Sequence, residues 1–242
     1  MIWLVVPAYD EALNVPILAG QLRRAVEQIG ARVIVVDDGS TDGTGERILK
    51  HAGDLDLRVI RHPDNRGLGA ALRTGLLAVL ETAADDDAVV TLEADTTSDL
   101  RTLEPMLARF DRGADVVLAS VHAPGGRMIG VARWRLLASR GVSAAFRRAA
   151  GLHELHTLTS LYRVYRAGAL REVLAMHRGS LITETGFAVN LELLVKLARQ
   201  GARIEEVPTT NDWGSRQGTS KMRTGATARA YARLLVGQFR SA

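Results

Sequence analysis

Two acidic residues, Glu93 and Asp95, stand one residue apart directly after the largely apolar run 88–92. A run of this composition is typical of a strand that is buried on both faces of a parallel sheet. Side chains that follow such a strand lie at the carboxyl edge of the sheet, where open α/β folds bind their ligands. Two carboxylates held this close repel each other unless a cation or a hydrogen-bond donor lies between them. The pair therefore indicates a divalent-cation site, because Mg²⁺ is usually held by one or two carboxylates together with substrate phosphates.

Asp37 and Asp38 follow a second apolar run, 33–36, whereas the first run, 2–6, leads into a Pro-Ala-Tyr loop. The pattern G-x-G-x-x-G that dinucleotide-binding folds place after the first strand is absent, and so is the P-loop pattern. A carboxylate such as Asp38 can accept hydrogen bonds from a base or a ribose, while a metal at Asp95 binds a diphosphate. This combination describes a nucleotide-sugar site.

The elements that must position these acids alternate between strands and helices. Strands are predicted at 2–6, 33–36, 57–60, 88–92, 115–120, 162–165 and 203–207. Helices are predicted at 12–29 and 44–51, from the glycine turn 65–69 to about 81, and at 100–110, 133–150, 167–176, 186–200 and 226–239. The glycines of the turn either bring the backbone close to a phosphate or simply lead the chain into its helix. Strands separated by helices indicate βαβ units, so we expect one α/β domain over residues 1–242, with a mostly parallel central sheet flanked by helices.

Composition excludes several classes of protein. Of the 242 residues, 47% are apolar, which is typical of a globular chain, and there is no cysteine for disulfides or thiolate metal sites. The apolar start at 2–6 is too short for a signal peptide, and no segment approaches the roughly 18 apolar residues of a membrane span. We therefore expect a cytoplasmic protein that at most contacts the inner face of a membrane.

Positive charge is concentrated in the second half of the chain. Six arginines and no acid lie between residues 123 and 153, and five arginines with Lys221 follow residue 213, again without an acid. Such blocks predict an anionic partner: a diphosphate, a lipid phosphate, an acidic membrane surface or nucleic acid. Solvated helix faces are the alternative. Aromatic residues make up only 5% of the chain, which disfavours nucleic acid because single strands stack on aromatic side chains.

Three segments resemble the successive motifs of family-2 glycosyltransferases with the GT-A fold: V-V-P-A-Y-D-E at 5–11, V-D-D-G-S-T-D-G-T at 36–44 and N-R-G-L-G-A-A at 65–71. R-L-L-A-S-R-G at 135–141 and R-Q-G-T-S-K-M at 216–222 narrow the resemblance to polyprenyl-phosphate (dolichol-phosphate) mannosyl- and glucosyltransferases. The resemblance implies an inverting, metal-dependent transfer of a hexose from a GDP- or UDP-sugar to polyprenyl phosphate, with Mg²⁺ or Mn²⁺ as cofactor. We expect residues 1–120 to bind the nucleotide sugar and residues 121–242, which end in a basic helix, to bind the acceptor.

The resemblance also implies roles for individual residues. The nucleotide would be contacted by Pro7, Ala8, Tyr9, Glu11, Asp38, Ser40, Asn65 and Gly67. The acceptor phosphate would meet Arg135 and Ser139, and the donor diphosphate would meet Arg216, Ser220 and Lys221. Glu93 and Asp95 stand where the family has its D-x-D metal motif. Asp95, Arg216 and Lys221 would then act in catalysis, by stabilising the charge that builds on the leaving diphosphate.

The chain departs from the family pattern mainly on the acceptor side. Glu93 replaces the usual first aspartate of the metal motif, and Thr97 stands where lipid-phosphate enzymes often carry a third metal ligand. Val121 occupies a position that is often arginine. The segment 157–163 resembles the family's D-x-T-S-G-F-R but lacks its aspartate and glycine. The donor assignment is therefore better supported than the acceptor assignment.

Alternatives to the lipid-phosphate reaction stay open. A soluble hydroxyl acceptor would need a general base, which an anionic phosphate does not need, and Glu184 could serve as that base or merely balance a helix dipole. A protein that binds a nucleotide sugar or nucleic acid without catalysis is a more distant alternative. In the helix 133–150, Trp134, Leu137 and Phe146 among arginines suit either docking on an anionic membrane or packing in the core.

Overall fold

The structure, a computed structural model, describes residues 1–218, 221 and 224–240, with the backbone alone for 133–136, 149–150, 224 and 237–240. Strands and helices alternate through most of the chain. The strands are β1 (Ile2–Ala8), β2 (Arg32–Asp37), β3 (Leu57–Arg61), β4 (Ala88–Thr91), β5 (Val116–Ser120), β6 (Arg127–Ile129), β7 (Arg163–Arg166), β8 (Ile204–Pro208) and β9 (Thr210–Asp212). The helices are α1 (Val15–Ile29), α2 (Thr44–Ala52), α3 (Leu68–Leu80), α4 (Leu103–Asp111), α5 (Arg133–Ala150), α6 (Ala167–Met176), α7 (Val189–Arg199) and α8 (Thr224–Arg240).

Seven of the strands form one sheet in the order β3-β2-β1-β4-β7-β5-β8. All neighbours in this sheet are parallel except β7, which runs antiparallel to both β4 and β5. The expected α/β architecture with a mostly parallel sheet is thereby confirmed. β6 and β9 form a separate two-stranded parallel ladder, in segments where the sequence predicted no strand.

Two hydrophobic cores cover the two faces of the sheet. Because successive side chains of a strand point to opposite faces, Val5 of β1 packs in one core and Leu4 and Val6 pack in the other. Helix α3 lies close to β1 because Gly75 has no side chain: a Cβ there would be 2.4 Å from Cγ1 of Val5. Burial on both faces explains why the strands read as unbroken apolar runs.

The register of the sheet brings the acid-bearing loops to one edge. Trp3 of β1 pairs with Arg32 of β2 on one side and with Val89 of β4 on the other. The three strands run parallel and therefore end side by side. The loops that follow them, with the acids at positions 37–38 and 93–95, lie next to one another at the carboxyl edge, as the sequence predicted.

Two boundaries at the start of the chain differ from the prediction. Helix α1 begins at Val15 instead of residue 12, and Pro16 falls in its first turn, where the missing N–H of a proline costs nothing. Strand β1 continues through Pro7 to Ala8, with Pro7 paired to Val36. The loop that carries Tyr9 therefore starts two residues later than the proline suggested.

Helices α5 and α8 pack on each other through Phe146 and Tyr231, whose rings meet edge to face with centroids 6.4 Å apart. Phe146 is buried, so this side chain belongs to the core, whereas Leu137 is 68% exposed. The side chain of Trp134 lies outside the described residues. None of the helices in the described ranges is both long enough and apolar enough to cross a bilayer.

Candidate active site

Arg216 joins two acidic side chains at the carboxyl edge of the sheet. Its Nη1 donates to Oδ2 of Asp95 over 2.9 Å, and its Nη2 donates to Oε1 of Glu11 over 3.3 Å. The three side chains are only 9–16% exposed. Burial raises the pKa of the Glu11 carboxyl, and the charge of Arg216 opposes that rise. The structure thus brings together three side chains from distant parts of the sequence, of which Glu11 and Arg216 are 205 positions apart.

The segment around Arg216 is fastened across this edge by further contacts. Gln217 exchanges two hydrogen bonds with Asn14: its N–H donates to Oδ1 over 2.8 Å, and its carbonyl accepts from Nδ2 over 3.0 Å. Ser215 Oγ donates to the carbonyl of Thr96. Lys221 Nζ donates to the carbonyl of Asp10 over 2.8 Å. Both predicted diphosphate cations with described side chains, Arg216 and Lys221, therefore lie at the acidic edge.

The carboxylate oxygens that surround the guanidinium of Arg216 are suitable ligands for a divalent cation. Asp95 and Glu11 direct carboxylate oxygens at one positive group, and hard oxygen ligands of this kind are those that Mg²⁺ takes. Oδ1 of Asp95 accepts hydrogen bonds from the N–H and the hydroxyl of Thr97, at 3.2 and 2.8 Å, which fixes the carboxylate. Thr97, which stands where relatives often carry a third metal ligand, therefore contacts Asp95 directly in the structure. Within the described ranges, no group of three or more acidic or histidine side chains is placed to hold a metal ion.

Glu93 is turned toward the protein. Its Oε2 accepts from Ser98 Oγ over 2.7 Å, and its Oε1 accepts from the N–H of Leu161 over 3.3 Å. Burial, reinforced by the nearby charge of Asp95, raises the pKa of the Glu93 carboxyl to about 7. Near neutral pH this side chain thus holds a proton part of the time, and its role as a metal ligand stays a prediction.

Asp38 organises the loop beside β2. Its Oδ1 lies 2.7 Å from Nδ1 of His62 and accepts from the N–H of Arg66, while its Oδ2 accepts from the N–H of Gly67 over 2.7 Å. Nε2 of His62 in turn lies 2.9 Å from Oγ1 of Thr74 in α3. His62 was missed at the level of sequence, because its signal was only a single histidine at the carboxyl end of β3. Contact of Asp38 with a base or ribose stays a prediction.

The end of β1 contacts Asp38 through the backbone, since the N–H of Asp38 donates to the carbonyl of Ala8 over 2.9 Å. Pro7 and Ala8 end β1, and Tyr9 follows them half-buried. Ser40 is buried, and its hydroxyl accepts a hydrogen bond from the N–H of Asp10 over 3.0 Å. The two loops are therefore joined directly.

The glycine turn before α3 is in close backbone contact with the segment that contains Glu184. Asn65 is exposed, and its Oδ1 accepts from the N–H of Gly67 over 3.0 Å. Gly67 has φ = 90°, and a Cβ there would lie 2.5 Å from the carbonyl oxygen of Thr185. At Gly69 a Cβ would lie 1.9 Å from the carbonyl oxygen of Glu184. The glycines are thus explained by a backbone approach within the protein, and contact of this turn with a phosphate stays a prediction.

The side chain of Glu184 is mostly buried and lies 3.8 Å from Nη2 of Arg233 in α8. Its backbone N–H, like that of Thr183, donates to the carboxylate of Glu192. These bonds hold the segment as a loop, so α7 starts at Val189 and not at the predicted residue 186. Glu192, which is also paired with Lys196, was missed because a single acid in a helix gives no distinctive pattern.

On the acceptor side the structure describes one of the two predicted residues. Ser139 of α5 is half-buried, and its hydroxyl lies 3.2 Å from Nε2 of His122 and 3.4 Å from Oγ1 of Thr159. The side chain of Arg135 lies outside the described residues, and so does Ser220. Their assigned roles stay predictions.

Comparison with known proteins identifies a family and relatives of this chain. The model of the family described as glycosyl transferase family 2 matches residues 3–174. The undecaprenyl-phosphate mannosyltransferase of Micrococcus luteus is 34% identical over 228 residues, which cover 93% of this chain and 89% of that protein. The polyprenol monophosphomannose synthase of Mycolicibacterium smegmatis is 32% identical over 209 residues, which cover 86% of this chain and 76% of that protein.

The fold is also that of solved structures. Glucosyl-3-phosphoglycerate synthase from Mycobacterium tuberculosis, crystallised with Mn²⁺, uridine diphosphate and phosphoglyceric acid, superposes with a TM-score of 0.72. The sequences are 23% identical, and the match covers 98% of this chain and 78% of that one. This similarity confirms the GT-A fold.

Proposed function

The chain belongs to glycosyltransferase family 2, and from this premise we propose that it transfers a hexose from a nucleotide diphosphate sugar to a polyprenyl phosphate. The names of its relatives favour mannose as the hexose. One observation carries the proposal: Asp95 and Glu11 converge on a single positive charge at the carboxyl edge of the sheet. A sugar donor that carries a diphosphate requires a cation-binding site at this edge.

We propose that Asp95 holds Mg²⁺ or Mn²⁺ when the donor is bound. The ion would neutralise charge on the diphosphate as it leaves. Arg216 would move from Asp95 to the diphosphate, and Lys221 would support it there, because both cations already lie at this edge. Positive groups aimed at the leaving oxygen stabilise the transition state more than the ground state.

The acceptor explains why the proposed reaction needs no general base. An oxygen of the polyprenyl phosphate, already an anion near neutral pH, forms a bond to the anomeric carbon. The bond from that carbon to the diphosphate oxygen breaks, and the configuration of the sugar is inverted. The residues of the chain thus have to hold and neutralise two anions. The acid-free blocks of the second half of the chain suit that task.

Transfer from GDP-mannose and UDP-glucose should be measured with Mn²⁺ or Mg²⁺ and two acceptors of the same chain length, farnesyl phosphate and farnesol. We expect product from the phosphate and none from the alcohol. Asp95→Asn should lower the rate by about 100-fold or more, because the charge that holds the cation is lost. Asp99→Asn is the matched control, since Asp99 lies in the same loop and pairs with the exposed Arg101. Product from farnesol alone would instead support the hydroxyl acceptor with Glu184 as base.

We further propose that helices α5 and α8 dock on an anionic membrane surface, where the lipid acceptor resides. Neither helix contains an acid. Arg140 and Arg148 of α5 and Arg229 of α8 are exposed, and so is the apolar Leu137. Arginines flanking exposed apolar side chains are typical of helices that lie in the membrane interface.

Flotation with liposomes that contain anionic lipid tests this docking surface. The wild type should float, and the double variant Arg140→Glu, Arg148→Glu should not. Arg24→Glu is the control, because Arg24 is exposed on α1, which covers the opposite face of the sheet. Equal flotation of all three proteins, or of none, would contradict the docking surface while leaving the transfer reaction to its own assay.

A further inference from the structure

A cluster of hydroxyl and imidazole groups follows β5 on the acceptor side of the sheet. Nε2 of His122 lies 3.2 Å from Oγ of Ser139, and that hydroxyl lies 3.4 Å from Oγ1 of Thr159. The N–H of His122 donates to Oγ1 of Thr157, which also accepts from Ser120 Oγ over 2.8 Å. His122 is therefore held by its backbone while its ring meets Ser139.

The cluster adjoins the acidic edge. Thr159 precedes by two residues Leu161, whose N–H donates to Oε1 of Glu93. The residue before His122 is Val121, which is apolar and only 8% exposed. His122 is thus the first side chain after β5 that can offer a hydrogen bond to a ligand on this side of the edge.

The surroundings of His122 favour an anion. Burial lowers the pKa of the His122 imidazole, and the positive charges of Arg140 and Arg147 of α5 lower it further. Glu206 of β8 is the acidic residue whose charge acts on the His122 ring, and it raises the pKa of the imidazole. Its carboxylate is already engaged by His156 and by the N–H of Thr157. At neutral pH the ring is therefore uncharged, with one N–H to donate and one nitrogen to accept.

We propose that His122 is a specificity-determining residue for the acceptor: its imidazole donates a hydrogen bond to the phosphate of the polyprenyl phosphate, beside the hydroxyl of Ser139. This inference rests on the proposed function, because it names the group that recognises the acceptor of that reaction. The bound phosphate would replace the present contact between Nε2 and Oγ of Ser139. The Ser139 hydroxyl can rotate toward it, and the imidazole donates in the tautomer that is protonated at Nε2.

The chemistry of the cluster selects a phosphate over other acceptors. A phosphate monoester offers three strong acceptor oxygens, and His122, Ser139 and Thr159 each carry a polar hydrogen. A neutral hydroxyl acceptor brings no negative charge for the nearby Arg140 and Arg147 to attract. A carboxylate carries less negative charge near neutral pH than a phosphate monoester does. Charge and the number of acceptor oxygens together favour a phosphate monoester.

The test compares His122→Phe with His122→Gln in transfer to farnesyl phosphate. Phenylalanine keeps the ring shape without a donor, and it should raise the acceptor KM by about tenfold or more, the loss expected for a hydrogen bond to a charged group. Glutamine places an amide N–H near the position of Nε2 and should stay within about threefold of the wild type. The KM for the nucleotide sugar should change in neither variant. His177→Phe is the control, because His177 is exposed at the end of α6.

Each result decides the inference. An unchanged acceptor KM in His122→Phe would overturn it, and so would a parallel rise in both KM values, which is the sign of general damage to the fold. If His122→Phe fails to fold, His122→Leu, which also lacks a donor, takes its place in the same comparison and must raise the acceptor KM selectively. If the wild type transfers sugar to farnesol and not to farnesyl phosphate, the proposed function fails and this inference fails with it. If the wild type uses farnesyl phosphate and the variants have the same acceptor KM as the wild type, the inference alone fails.

Discussion

Replacing Arg216 by methionine should weaken the fold and strengthen metal binding at the same time. The guanidinium lies between Asp95 and Glu11, and all three side chains are nearly buried. Breaking a fully buried ion pair costs about 3–5 kcal/mol, and the partial exposure of these groups reduces the cost to roughly 2–3 kcal/mol. For a chain of this length that loss should lower the Tm by about 4–12 °C.

The effect on the metal follows from competition for Asp95. In the wild type a divalent ion that binds at the proposed site without the donor would have to displace Arg216 from Oδ2 of Asp95. In Arg216→Met this competitor is gone, and Asp95 and Glu11 lose the cation that they share. If about 2 kcal/mol of the bridge opposes the ion, its removal should tighten the Kd for Mn²⁺ by roughly thirtyfold. Transfer should nevertheless fall by about 100-fold, because a cation for the leaving diphosphate is lost.

Calorimetric titration with Mn²⁺ in the absence of donor measures this Kd directly, and thermal unfolding with and without Mn²⁺ gives an independent reading. Arg216→Lys is the matched control: it keeps the charge and should bind Mn²⁺ as weakly as the wild type. A Kd for Mn²⁺ in Arg216→Met equal to or weaker than that of the wild type would show that the ion does not occupy the position of the guanidinium.

Three further predictions concern stability and the acceptor. Because the pKa of Glu93 is raised to about 7 from an ordinary value of 4.5, the folded state keeps a proton that the unfolded state loses. Stability should therefore decline by roughly 1–3 kcal/mol between about pH 4.5 and 7, and Glu93→Gln should remove this decline in urea unfolding. Glu184→Gln should change kcat with polyprenyl phosphate by less than about threefold, since an anionic acceptor needs no base, and a larger loss would favour a hydroxyl acceptor. Gly69→Ala should cost about 3 kcal/mol or more, because its Cβ would meet a carbonyl oxygen at 1.9 Å, whereas Gly20→Ala, with no atom within 4 Å, should be neutral or stabilising by thermal unfolding.

The central strands and the acids that follow them were predictable because burial of the strands alone determines the apolar pattern of their residues. Strands β1, β2 and β4 are buried on both faces, so their residues form continuous apolar runs, and the polar residues that end them mark the edge. Periodicity carries no information on strand direction, however, and the antiparallel insertion of β7 between β4 and β5 could not be read from it. The three-residue strands β6 and β9 are too short to give a pattern. That residues 1–242 act as one domain stays a prediction.

The contacts of the site were less predictable than its location. The resemblance placed Arg216 at the diphosphate, but its partners in the structure are 121 and 205 residues away along the chain, and no local pattern encodes such a pairing. His62 and Glu192 were missed for a related reason. Each acts by holding another residue or a backbone segment, so its importance appears only when the partner is known.

The proposed binding of metal and donor at this edge would be an exchange of partners. Asp95 is neutralised by Arg216 in the structure, so a metal ion that binds alone at the proposed site would have to displace a cation that is already in place. With the donor present, the displaced guanidinium would acquire a new partner in the diphosphate, and the cost of displacing it would fall. Metal and donor should therefore each increase the affinity for the other, and thermodynamic linkage requires the two increases to be equal. In Arg216→Met the exchange cannot occur, so the Kd for Mn²⁺ should depend less on the nucleotide sugar than it does in the wild type, and the remaining dependence comes from direct binding of the ion by the diphosphate.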